Sequence, residues 1–126
     1  MSDSIRVVVA DDHRLFTEGL DLVLSRDGIQ VVGTAATGRQ TVELTSDLKP
    51  DIVLMDIRMP DMDGLQALGA IKASCPETSV IILTSFDNPE YLTRAISMGA
   101  AGYLMKDTTS ESVVNAIRLV ASGEAI

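Results

Sequence analysis

Four apolar residues, Ile52-Val53-Leu54-Met55, run without a break into a carboxylate, Asp56. An uninterrupted apolar run of this length, led in by Lys49-Pro50-Asp51, predicts a short strand buried on both faces. The residues that follow, Ile57-Arg58-Met59-Pro60-Asp61-Met62-Asp63-Gly64, are rich in turn formers. Asp56 therefore falls at the carboxyl end of an interior strand. In open α/β sheets that edge is where ligands and chemistry are found.

The rest of the chain alternates around this strand. Residues 5–10 predict a first strand that ends in Asp11-Asp12. Residues 15–26 have helical spacing, with Phe16, Gly19, Leu20, Val23 and Leu24 on one face and Gly28 as the stop. Residues 29–34 predict a second strand. Thr37-x-x-Gln40 is a capping-box signature for a second helix ending near Leu48. Asp63-x-x-Gln66 caps a third helix that ends before Pro76. Val80-Ile81-Ile82-Leu83 predicts a strand ending at Thr84-Ser85. Asn88-Pro89-Glu90 supplies an N-cap, a proline at the first helical position and an acid in the first turn; that helix stops at Gly99. Residues 101–105 predict a fifth strand ending at Lys106. Thr108-x-x-Glu111 opens a last helix carrying Val113, Val114, Ile117, Val120 and Ala121. Five β-α units in this order predict an α/β fold, a doubly wound five-stranded parallel sheet with helices on both faces.

Composition limits what such a sheet could do. The 126 residues suit one domain over residues 1–126, with no internal boundary or repeat. Net charge is −8 and no two of the ten Lys and Arg residues are adjacent, which argues against direct contact with nucleic acid. No apolar run approaches the roughly 20 residues of a membrane span. Met1-Ser2-Asp3-Ser4 lacks the basic start of a signal peptide. The single cysteine, Cys75, excludes an internal disulfide framework and fits a reducing compartment, so a cytoplasmic location is expected.

In a parallel sheet the residues after the strands share one edge. Strand one brings Asp11 and Asp12, strand three Asp56, strand four Thr84 and strand five Lys106. Taken singly each has a plain explanation; Asp12, for instance, reads as the N-cap of the first helix. Together they suit one task. Clustered carboxylates repel one another unless a cation joins them. A hard divalent ion with oxygen ligands, Mg²⁺, would do so, with Asp12 and Asp56 as direct ligands, Asp11 acting through water, and the backbone carbonyl of Arg58 completing the set. Asp56 could then attack a phosphoryl group to give an acyl phosphate. Lys106 would neutralise phosphoryl oxygens and Thr84 would donate a hydrogen bond to one.

These residues also carry a family resemblance. Val9-Ala10-Asp11-Asp12-His13, Leu54-Met55-Asp56-Ile57-Arg58-Met59-Pro60-x-Met62-Asp63-Gly64, Leu83-Thr84 and Gly102-Tyr103-Leu104-Met105-Lys106 resemble, in order and spacing, the receiver domain of a bacterial two-component response regulator. Asp-Asp-His-x-Leu-Phe-x-x-Gly-Leu and Gly-Tyr-Leu-x-Lys-Asp are similar to the NarL/LuxR subfamily. The resemblance implies the flavodoxin/CheY-like (βα)5 fold with strand order 2-1-3-4-5. It implies Asp56 as phosphoacceptor, Asp11 and Asp12 as the acidic pair, Thr84 as switch hydroxyl, Tyr103 as the aromatic that swings inward with it, and Lys106 as the matching lysine. The resemblance also places Arg58 and Phe86 at positions that tune acyl phosphate lifetime in the family. The implied partners are a sensor histidine kinase, a second copy on phosphorylation, and DNA only through a C-terminal helix-turn-helix domain that residues 1–126 do not contain. The implied role is a signalling switch, catalysing only its own phosphotransfer and slow dephosphorylation, rather than an enzyme. Asp107 departs from the proline that many receivers carry after the lysine, which bears on the loop before the last helix.

Two other functions compete on this fold. An Mg²⁺-dependent aspartyl phosphohydrolase carries a second Asp two residues after the nucleophile; that position is Arg58. A flavodoxin-like FMN module needs a hydroxyl- and Gly-rich phosphate loop after the first strand, where Asp11-Asp12 would repel phosphate. Gly33-Thr34-Ala35-Ala36-Thr37-Gly38 has P-loop glycine spacing but continues Arg39-Gln40, so a loop entering a helix is the better reading. His13 is expected to pack or hydrogen-bond at the start of the first helix, Cys75 to be inert, and Met55, Met59, Met62 and Met105 to pack rather than ligate. Leu15, Leu22 and Leu119 lie beside the core stripes. They either pack against neighbours or contribute to a docking surface for a kinase or second receiver. Tyr91 and Met98 flank the fourth helix's stripe on the α4-β5-α5 face that the family also uses.

Overall fold

The computed structural model describes residues 4–85 and 89–123. The elements alternate as β1 (Arg6–Ala10), α1 (Arg14–Arg26), β2 (Gln30–Ala35), α2 (Gly38–Leu48), β3 (Ile52–Met55), α3 (Gly64–Ser74), β4 (Ser79–Thr84), α4 (Pro89–Ser97), β5 (Gly102–Met105) and α5 (Ser110–Ala121). The strands form one five-stranded sheet in the order β2-β1-β3-β4-β5, and every pairing is parallel. The (βα)5 class and the strand order expected from the resemblance are both observed. β3 is central, and its four residues are buried.

Period-two alternation along the strands divides the core between two faces. Val8, Ala10, Val53, Met55, Val80 and Ile82 face α2, α3 and α4, where Leu65, Leu68, Ile71 and Ala95 meet them. Val7, Val9, Ile52, Leu54, Ile81 and Leu83 face α1 and α5, against Leu20, Leu24, Val113, Val114 and Ile117. Strands with both faces covered must be apolar throughout, which is why their runs stand out in the sequence.

The helix details depart from expectation in four places. In α1 the buried stripe is Thr17, Leu20 and Leu24; Phe16 and Val23 are half-buried and Gly19 is exposed. Thr17 can lie inward because its hydroxyl donates to the Arg14 carbonyl at 2.9 Å. At α2 the Thr37 hydroxyl accepts from the Gln40 amide at 3.1 Å, but the Gln40 side chain accepts from Ala36 rather than from Thr37, so the box is not reciprocal. The box at α3 is complete: Asp63 accepts from the Gln66 amide at 2.9 Å and Gln66 accepts from the Asp63 amide at 3.2 Å. α5 is capped by Thr109, whose hydroxyl accepts from the Ser112 amide, and not by Thr108, whose amide closes a turn onto Met105. In the same helix Ala116 is buried and Ala121 exposed. The expectations for Met1-Ser2-Asp3, Phe86 and the Asn88 cap lie outside the described residues.

Leu15 (85% exposed), Leu22 (72%) and Leu119 (43%) do not pack into the core, and Ile96 joins them on α4. Cys75 is buried and free. Met55, Met59 and Met62 pack in or against the α2/α3/α4 face of the core, as expected.

Candidate functional site

The ladder continues one residue past three strand ends. The Asp11 amide donates to Ala35, the Asp56 amide to Ala10 and the Lys106 amide to Thr84, at 2.9, 2.9 and 2.7 Å. Asp11, Asp56 and Lys106 are thus rooted in sheet geometry instead of a loose loop. Asp11, Asp56, Thr84 and Lys106, from four different strand ends, come to the same edge.

Asp11 and Asp56 are each 4% exposed. Between them lies the Lys106 ammonium, 3.0 Å from Asp56 Oδ2 and ion-paired with Asp11 Oδ2. Burial lowers the Lys106 pKa, but hydrogen bonds to Asp11 and Asp56 and the charges of both carboxylates outweigh it and hold the pKa above the ordinary 10.5. The lysine is therefore a cation throughout the neutral range. Asp56 Oδ1 accepts from the Arg58 amide at 3.1 Å, which brings Arg58 beside the carboxylate.

Asp12 is exposed at the mouth and does not cap α1. His13 holds the N-cap position without a side-chain cap bond. Its Nδ1 lies 2.8 Å from Asp11 Oδ1 and 3.2 Å from Asp12 Oδ1, and its amide donates to Asp11 Oδ1. One ligand atom from each of Asp11, Asp12, His13 and Asp56 falls within 4.8 Å of the others, a grouping that could hold a metal ion. The Thr84 side chain is fully buried at the end of β4, and Tyr103 is half-buried on the α2/α3/α4 face of β5.

Two glycines shape the loop that follows Asp56. A Cβ on Gly64 would lie 2.5 Å from Ile57 Cα and 3.0 Å from the Asp56 carbonyl oxygen. A Cβ on Gly38 would lie 2.2 Å from the Met62 carbonyl oxygen. Gly38 is thus fitted against the β3–α3 loop, a packing reason for the glycine that spacing alone made resemble a phosphate-binding loop.

Sequence reasoning missed Phe16, whose ring centroid lies 4.7 Å from the Lys106 ammonium. Its place three residues after His13, in the first turn of α1 and next to the carboxyl edge, was the available signal.

Comparison with known proteins agrees with this geometry. The family model described as response regulator receiver domain matches residues 7–118. The transcriptional regulatory protein YxjL of Bacillus subtilis is 43% identical over 125 residues, covering 98% of this chain and 57% of its own length. The response regulator protein VraR of Staphylococcus aureus is 36% identical over 124 residues, covering 98% of this chain and 59% of its own. This chain therefore spans somewhat more than half the length of these relatives. Among solved structures, the signal receiver domain of NarL from Mycobacterium tuberculosis superposes with a TM-score of 0.93 at 40% identity, covering 98% of this chain and 100% of that one. A LuxR-family two-component response regulator from Aurantimonas superposes with a TM-score of 0.92 at 28% identity, covering 98% and 89%.

Proposed function

The chain belongs to the receiver domain family of response regulators, and on that premise we propose that Asp56 accepts a phosphoryl group from the phosphohistidine of a sensor kinase. The observation that carries this reading is the setting of Asp56: a buried carboxylate at the end of the central strand, with the Lys106 ammonium 3.0 Å from one oxygen and Asp11 across the lysine. An Asp56 oxygen attacks phosphorus, the phosphorus–nitrogen bond to the kinase imidazole breaks, and the imidazole leaves with the electron pair. Lys106 neutralises the phosphoryl oxygens, and the Thr84 hydroxyl donates to one of them once drawn toward the site.

The donor set suits a hard divalent cation. It offers carboxylate oxygens of Asp11, Asp12 and Asp56 within one ligand-sized space, to which the Arg58 carbonyl would add a fourth oxygen. Mg²⁺, held by these groups with Asp11 acting through water, would supply charge neutralisation between an anionic nucleophile and an anionic donor. Arg58 in place of a second acid leaves no general acid for rapid turnover, so the site works as a switch rather than a phosphohydrolase. Asp11 and Asp12 equally oppose an FMN phosphate. Phosphoryl uptake from acetyl phosphate should require Mg²⁺ and stop when EDTA is added; uptake indifferent to chelation would overturn the metal assignment.

The new dianion biases a two-state element. Thr84 and Tyr103 move toward the site, the α4-β5-α5 face changes, and a homodimer forms. In the full-length protein, a cytoplasmic transcription regulator, this controls a C-terminal helix-turn-helix domain that binds DNA. No helix among the described residues is long and apolar enough to cross a membrane.

Leu15 and Leu22, exposed on α1, are assigned to docking of the kinase or a second receiver. Alanine at both should leave unfolding free energy within about 0.5 kcal/mol of wild type, while kinase-to-receiver transfer or dimerisation weakens several-fold. A stability loss with normal transfer and assembly would contradict this assignment.

A further inference from the structure

We propose that Phe16 is a positioning residue for Lys106: its ring holds the ammonium over the carboxylates and so sets the rate of phosphoryl transfer. The inference rests on the receiver reading above and concerns a contact that the reading does not contain.

The lysine has far to reach. β5 lies two strands from β3 and three from β1, or roughly 10 and 14 Å across the sheet at the usual strand spacing. A flexible four-carbon stem must therefore cross the end of β4 to bring its charge to Asp56 and Asp11. The backbone fixes only the start of that path, through the Lys106 amide on Thr84. At the far end the Lys106 side chain is 11% exposed.

Phe16 lies where the stem needs a wall. It projects from the first turn of α1 and is half-buried in the cleft between α1 and α5, with Leu15, Leu20, Leu83 and Val113 around it and Lys106 at the edge. The centroid of its ring is 4.7 Å from the ammonium, within the range at which an aromatic quadrupole attracts a cation. Two acids thus draw the ammonium from one side and an aromatic ring meets it on another. A leucine at this position would fill much of the cleft but offer the cation nothing. Without the ring, the stem loses that wall of its path, and fewer molecules hold the charge where the phosphoryl oxygens arrive.

The test compares Phe16→Leu with Phe16→Tyr, because the half-buried position should let both fold and only Tyr keeps the ring. The first readout is the ε-methylene proton shift of Lys106 by NMR. It should be displaced upfield by the ring current in wild type and Phe16→Tyr, and return to the ordinary lysine position in Phe16→Leu. The second readout is the rate of phosphorylation by acetyl phosphate with Mg²⁺. Phe16→Leu should be slower by about threefold to tenfold, and Phe16→Tyr should restore the wild-type rate. Phe16→Leu reacting as fast as wild type would overturn the proposal. So would rates in the two variants that simply follow their thermal stabilities, which is what a packing role predicts. A wild type that takes up no phosphoryl group would count against Asp56 as phosphoacceptor, and the NMR comparison would still decide whether Phe16 holds the lysine.

Discussion

Lys106→Met is expected to slow phosphorylation of Asp56 by about a hundredfold or more, the scale seen when a preorganised charge is removed from a transition state. It should also destabilise the fold. Asp11 and Asp56 are each 4% exposed and share this one ammonium. Removing it leaves two buried carboxylates facing each other, a loss of about 3 kcal/mol at neutral pH by denaturant titration. Adding Mg²⁺ should recover part of that loss, since a bound cation replaces the missing charge. The pH dependence has a definite sign. Burial works against the Lys106 charge, but its hydrogen bonds to both acids raise its folded pKa above 10.5. A group whose pKa is raised on folding stabilises fully below its unfolded value, about 10.4, and loses that contribution as pH rises through the folded value. The stability gap between wild type and Lys106→Met should therefore be constant through the neutral range and narrow only in strong alkali. A gap that widened there would contradict the pairing.

Gly64→Ala is expected to cost about 3 kcal/mol or more, with a larger proportional loss of phosphorylation. The added methyl would meet backbone, 2.5 Å from Ile57 Cα and 3.0 Å from the Asp56 carbonyl oxygen. Neither can swing away as a side-chain end could. The Gly64 amide also donates to the Ile57 carbonyl at 2.7 Å, so helix α3 is fastened to the residue after Asp56. Strain therefore falls on Asp56 itself. Urea unfolding together with acetyl phosphate kinetics on the surviving folded fraction measures both effects. A variant with wild-type stability would mean that the close approach is absent.

What the sequence made legible follows from where burial leaves its mark. β3 and β4 are covered on both faces, so they must be apolar without interruption, and their ends at Asp56 and Thr84 could be read directly. Parallel pairing then forces Asp11, Asp56, Thr84 and Lys106 to one edge, so the membership of the cluster was legible before any distance was known. Helix starts were less so. Thr108 and Thr109 both fit a capping pattern, and only the turn from Met105 decides for Thr109. The α1 stripe was displaced because a threonine can be buried once its hydroxyl finds its own helix, which apolar counting cannot register. The hydrogen bonds of His13 at the start of α1 join neighbours in sequence and were expected, whereas the contacts of Gly38 with Met62 and of Phe16 with Lys106 depend on how α1 and α2 lie against the sheet edge. Each of these two joins residues far apart in sequence, and no local pattern encodes them.

Intact mass after incubation with acetyl phosphate and Mg²⁺, with wild type and Asp56→Asn side by side, tests whether Asp56 is the phosphoacceptor of this receiver. One phosphoryl group should be added to wild type, none to Asp56→Asn, and none to wild type without Mg²⁺. An adduct of the same mass on Asp56→Asn would contradict it and move the chemistry to another residue.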